Sequence, residues 1–128
     1  MNRKEIIDYL EKMNLPKDQF VILAGASLVM QGVKATTHDI DIAVSESLEK
    51  QLLEQYPYEL ETVQNGKNTY FIDNVLNFST NLFDVNKTVE DTYFVQTLDS
   101  VILLKKKLGR EKDLKDIALI ESFIKNNN

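Results

Sequence analysis

Apolar positions return along this chain with two different periods. Over residues 2–13, Ile6, Ile7, Leu10 and Met13 recur at helical spacing, with Lys4, Glu5, Glu11 and Lys12 on the remaining surface. That spacing predicts an amphipathic helix. Pro16, within residues 14–18, breaks it. Residues 20–24 form a continuous apolar run, the pattern of a strand covered on both faces. A short helix is predicted over residues 26–31, ended by Gly32, and a polar loop over 34–38. From His38 to Val44 the period changes to two: Ile40, Ile42 and Val44 share one face, Asp39 and Asp41 the other.

Residues 46–56 predict a helix opened by Ser45 or Ser47 and stopped by Pro57. Residues 58–63, 69–72 and 75–80 read as strands, joined by an Asn65-Gly66 hairpin turn and an Asp73-Asn74 turn. Residues 86–92 read as a polar connection and 93–96 as a short last strand. A helix follows over 98–108, begun at Asp99 or Ser100, with Val101, Ile102, Leu104 and Leu108 as its buried stripe and Gly109 as its end. The last helix covers 111–124, with Leu114, Ile117, Ala118, Ile120 and Ile124 on one side.

These elements sum to the α/β (α+β) class, a small mixed β-sheet flanked by helices, in a single domain over residues 1–128. The absence of cysteine excludes disulfides and thiolate metal sites, and the single histidine excludes a multi-histidine zinc site. No apolar run approaches the ~18 residues of a membrane span. The start, Met-Asn-Arg-Lys-Glu, lacks the apolar core of a signal peptide. A cytoplasmic location without a membrane partner is the expectation. A net charge of −5 makes a poor generic binder of DNA or RNA. Basic residues nevertheless gather between Lys105 and Lys115, either as an anion-binding patch or as a solvated helix face.

The candidate chemistry lies in Asp39-Ile40-Asp41. Two carboxylates side by side repel each other, and a divalent cation turns that repulsion into binding. Mg2+ prefers carboxylate oxygens together with substrate phosphates. The plain alternative is a solvated strand with alternating polar residues. The context points to a site: a buried strand, the small-residue turn Gly25-Ala26-Ser27, a helix start, a loop and then the carboxylates. Backbone N–H groups at a helix start favour phosphate. Gly25 serves close approach to phosphate or a tight turn, and Ser27 donates to phosphate or caps the helix. His38 is read as a loop residue, either plain or in contact with substrate.

This stretch resembles the nucleotidyltransferase superfamily, the fold shared by DNA polymerase beta and the aminoglycoside and lincosamide nucleotidyltransferases. Their signature is a strand, Gly-Gly or Gly-Ser opening a helix, then Asp-x-Asp or Asp-x-Glu on the next strand. Gly25-Ala26-Ser27 stands where that turn falls, and Asp39 and Asp41 where the metal carboxylates fall. The run from Lys105 to Ile117 resembles the C-terminal Lys…Gly-Arg-x-Lys-Asp-x-x-Asp-Ile segment of small bacterial members. The resemblance covers residues 20–123.

It implies a minimal nucleotidyltransferase fold, with Mg2+ or Mn2+ on Asp39 and Asp41 and an NTP on Gly25, Ala26, Ser27, Lys105, Arg110 and Lys112. A nucleoside monophosphate would pass to an unidentified hydroxyl acceptor. Many members carry a third carboxylate on a later central strand as base. Here that strand carries Asn77, which ligates through oxygen but takes no proton near neutral pH. Asp84 is the nearest substitute for this catalytic place and Asp73 a weaker one. Asp113 and Asp116, with Lys105, Arg110 and Lys112, bind the triphosphate or organise the last helices, or the two aspartates instead pair with Arg110 and Lys112 as a structural knot at the helix junction. The chain has almost no room for a separate acceptor domain, which leaves a homodimer or a partner protein to complete the site. The alternative is a catalytically inactive nucleotide- or protein-binding module of the same fold, such as a toxin–antitoxin component.

Overall fold

A computed structural model describes residues 1–64 and 67–127. The predicted Asn65-Gly66 turn lies outside the described residues. The chain opens with α1 (Arg3–Met13), whose start is a reciprocal cap. Asn2 Oδ1 accepts from the Glu5 N–H at 2.9 Å, and the Glu5 carboxylate accepts from the Asn2 N–H at 3.0 Å. A single 3-10 turn (Lys17–Gln19) leads into β1 (Phe20–Leu23), buried at all positions. Helix α2 (Ala24–Met30) follows with no intervening turn, two residues earlier than the pattern predicts. Ala24 makes this possible by taking a left-handed backbone, φ 47°, a conformation no side chain advertises in sequence.

Strand β2 (Ile40–Val44) leads to α3 (Glu46–Gln55), capped by Ser45, whose hydroxyl accepts from the Leu48 N–H at 3.1 Å. Strands β3 (Glu59–Gln64), β4 (Lys67–Ile72) and β5 (Leu76–Ser79) form the meander. The predicted polar connection instead contains a strand, β6 (Lys87–Glu90), paired antiparallel with β7 (Tyr93–Gln96). Lys-Thr-Val-Glu carries no apolar alternation because β6 is an edge strand, largely exposed. Asp91 and Thr92, at φ 48° and 70°, make the two-residue turn that fits a right-twisted hairpin. Helix α4 (Leu98–Leu108) is capped by Thr97 and has Asp99 and Ser100 in its first turn, and α5 (Glu111–Asn126) is the last element. Gly109 ends α4 at φ 63°. Among the described residues no helix is long and apolar enough to cross a membrane.

The strands form one mixed seven-stranded sheet in the order β3-β4-β5-β2-β1-β7-β6. β2 lies at its centre, antiparallel to β1 and parallel to β5. One face carries Phe20, Ile22, Ile40, Ile42, Val44, Phe78 and Val95 into the main core, closed by Ile6 and Leu10 of α1, Val29 and Met30 of α2, and Leu48 and Leu52 of α3. On the other face Val21, Leu23 and Ala43 are covered by Phe83, Val85 and Phe94. A third cluster joins Leu28 of α2 to Val101 of α4 and Ile120 of α5.

The stripes of the last two helices differ from expectation. In α4 the buried positions are Val101 and Lys105, while Leu108 is exposed, because the helix runs past α2 toward an open cavity. In α5 the inward stripe is Asp113, Ile117 and Ile120, so Leu114 falls about 100° off it and is 57% exposed. Leu114→Gln is therefore expected to change unfolding free energy by less than about 0.5 kcal/mol. Ile117→Ala should cost roughly 2–4 kcal/mol in urea melts.

Candidate active site

Asp41 sits in register between Leu23 of β1 and Asn77 of β5. Asp39 precedes the strand by one residue, at a bend. Both line a cavity of about 440 Å3. Its floor is the turn from β1 into α2, at Ala24 and Gly25. Thr37 and His38 of the α2–β2 loop line one part of it; Lys34 of the same loop joins Leu104, Lys105 and Leu108 of α4, with Arg110, Lys112 and Asp116 beyond it, in another. Gly25 has an ordinary backbone conformation, and its role is close approach. A Cβ there would lie 2.7 Å from Thr37 Oγ1. The missing methyl group lets the loop before Asp39 lie against the helix start.

The cavity is polarised. Burial, and then the neighbouring Asp39, push the Asp41 carboxyl up to about 6, with Glu61 adding to the effect. Lys105 and Lys112 pull the other way and do not cancel it. The opposite wall is an ion-pair network. Lys105 lies 2.9 Å from Asp116 and 3.3 Å from Asp113, and Lys34 lies 3.3 Å from Asp116. Arg110 grips Asp113 through Nε at 2.7 Å and Nη2 at 3.2 Å, and its backbone N–H adds a bond of 3.1 Å. The hydrogen bonds from Arg110 hold the Asp113 carboxyl down at about 2.

Six of the sequence-derived site residues meet here: Asp39, Asp41, Gly25, Lys105, Arg110 and Lys112. Ala26 and Ser27 do not. Ala26 is in the main core. Ser27 is fully buried, its hydroxyl donating to the Gln96 carbonyl at 2.6 Å and accepting from the Gln31 amide at 2.9 Å. It neither faces the cavity nor caps α2. Asp84 lies exposed in a turn and does not line this cavity, and Asp73 lines a separate cavity of about 260 Å3. The residue beside Asp41 is Asn77, whose amide donates to the Tyr70 carbonyl at 3.1 Å.

Ala24, Lys34 and Thr37 join the site without having been singled out for it, and Asp116, expected in a knot with Arg110 and Lys112, meets Lys34 and Lys105 instead. No period marks Lys34 or Thr37 within their polar loop. Among the described residues, no group of three or more His, Asp or Glu side chains gathers closely enough to hold a metal ion.

A mixed sheet that presents an Asp-x-Asp pair beside a strand-to-helix junction is the arrangement implied by the resemblance to nucleotidyltransferases. Residues 3–126 match the family described as nucleotidyltransferase of unknown function (DUF6036). The chain belongs to that family. No curated protein matches it.

The raised Asp41 gives a signed pH dependence. The folded carboxyl keeps its proton up to about pH 6, whereas the unfolded one releases it near 3.8. The folded state binds more protons between those values, so this group's contribution to stability falls as pH rises through that window and stays low above it. Asp41→Asn removes the buried charge. In EDTA it is expected to be more stable than wild type by roughly 1–2 kcal/mol at about pH 8 and equal to it near pH 4, read from thermal melts.

Proposed function

We propose that the protein is a divalent-metal-dependent nucleotidyltransferase, moving a nucleoside monophosphate from an NTP to a hydroxyl acceptor. The observation that carries this reading is the cavity itself, with Asp39 and Asp41 on one side and Lys34, Lys105, Arg110 and Lys112 on the other. Polyphosphate needs the cations, and a paired, desolvated carboxylate set needs a counter-charge. Two carboxylates fit Mg2+ or Mn2+, because such an ion completes its shell with water and substrate phosphate oxygens.

The chemistry a bound ion supplies here is neutralisation of the triphosphate and of the departing pyrophosphate. The lysines and Arg110 orient the phosphate chain, and Gly25 lets Thr37 and the loop before Asp39 close against the α2 start. The acceptor oxygen forms a bond to the α-phosphorus as the bond to the bridging oxygen breaks. Pyrophosphate leaves with that electron pair, and the hydroxyl proton passes to solvent. The remaining carboxylate on the wall, Asp116, is held by two lysines and is not free to act as base.

A second reading, a nucleotide-binding module without transfer, is favoured by Asn77 standing beside Asp41 and by Asp84 not being among the residues that line the cavity. Calorimetry with ATP, GTP, CTP or UTP and Mg2+, run beside a radiolabel transfer assay over candidate acceptors, separates the two. Labelled product with pyrophosphate release supports the enzyme; binding without either supports the module. For the enzyme, Asp39→Ala and Asp41→Ala should each abolish transfer while thermal stability is kept or raised. Transfer that survives both substitutions would rule out the carboxylate mechanism. Mg2+ with the bound NTP should raise the Tm of wild type and leave that of Asp41→Asn nearly unmoved.

A further inference from the structure

Asp116 is a carboxylate in the middle of a basic wall, and it joins lysines from distant parts of the chain. One of its oxygens is 3.3 Å from Lys34, in the α2–β2 loop, and the other is 2.9 Å from Lys105, in α4. Lys105 is bound a second time by Asp113, at 3.3 Å, and Asp113 is itself covered completely and gripped by Arg110. The side chains of Lys105 and Asp116 are 9% and 14% exposed, so this is not a solvent-screened surface pair. All three cations line the cavity that faces Asp39 and Asp41.

A lysine on a flexible stem loses rotamer freedom when it grips a ligand, and each ordered side chain lowers affinity. A lysine already clamped loses little. We infer that Asp116 is a positioning residue for the triphosphate, holding the Lys34 and Lys105 amines against the cavity from two elements at once. Asp113 does the same for Lys105 and Arg110. The inference rests on the nucleotide reading of the cavity and adds Lys34 to the groups that touch phosphate. It differs from a plain structural knot in what it demands of ligand binding.

The two accounts predict opposite signs. By its field alone, a carboxylate beside a polyanion repels it, and Asp116→Asn should bind NTP more tightly. By positioning, the same substitution frees two lysines and weakens binding. The test is the dissociation constant of wild type, Asp116→Asn and Asp116→Glu for ATP, GTP, CTP and UTP with Mg2+, with a thermal melt of each protein. The expected result is an Asn variant that is folded but binds roughly tenfold more weakly, with most of the affinity restored by Glu. Equal or tighter binding by the folded Asn variant, with wild type binding normally, overturns the inference and leaves the nucleotide reading standing. Failure of wild type to bind any of these nucleotides removes that reading and the inference with it. If the Asn variant does not fold, acetylation of wild-type lysines read by mass spectrometry decides. NTP with Mg2+ should protect Lys34 and Lys105 but not the exposed Lys106 and Lys107, and unprotected Lys34 overturns the inference.

Discussion

One buried amide holds the site end of this molecule together. Gln96, at the end of β7, is almost wholly covered. Its Oε1 accepts from the Ala24 N–H at 3.0 Å, its Nε2 donates to Ser100 Oγ at 2.9 Å, and its main-chain carbonyl accepts from Ser27 and Gln31. Three elements, β7, α2 and α4, are thus tied at a single residue. Loss of one such bond strands a buried partner at a cost of about 1–3 kcal/mol. The bond to Ala24 spans the point where the chain turns from strand to helix in a left-handed conformation. That junction places Gly25 against Thr37, and Thr37 in turn sets the loop before Asp39. The placement of the carboxylate pair follows from an amide on the far side of β1.

The cavity's two walls differ in how their charges are satisfied. The charges of the basic wall are paired but stay positive in sum: Asp113 and Asp116 answer Lys34, Lys105 and Arg110 at hydrogen-bonding distance, and Lys112 adds a further cation. The carboxylates of the acidic wall have no such partners among the described residues, and burial with mutual repulsion pushes Asp41 well above the usual carboxylate range. Strong perturbation by desolvation and a like-charged neighbour inside a cleft is characteristic of binding and catalytic sites. Here the imbalance sits on the central strand, where a packed hydrophobic residue would have been more stable.

What could be read in advance follows from how each feature writes itself into sequence. The alternation of Asp39, Ile40, Asp41 and Ile42 is a period of two, and it placed the pair on the face opposite the core. Asn77 was legible as the polar residue of its strand, and its register opposite Asp41 gives that reading a position. Ser27 was ambiguous because a small hydroxyl serves a phosphate, a cap or a buried carbonyl equally well, and only the neighbouring Gln96 decides. Strand β6 was invisible because an edge strand of Lys-Thr-Val-Glu has no apolar face to reveal. Lys105, Asp113 and Asp116 were legible as members of the Lys…Gly-Arg-x-Lys-Asp-x-x-Asp-Ile segment, but that they are largely covered was not. Their burial comes from the packing of α4 and α5 against α2, which local pattern does not record.

The strand order has a consequence for synthesis. β1 pairs with β2 on one side, but its other neighbour is β7, which follows more than seventy residues later. Until Tyr93–Gln96 leaves the ribosome, Phe20–Leu23 is an edge strand with four consecutive apolar side chains and one row of unpaired amides. Ala24 also lacks its Gln96 partner for that interval. The strand that covers this edge also brings the amide that holds the strand-to-helix junction. Closure of the sheet and completion of the cavity floor thus depend on the same four-residue segment.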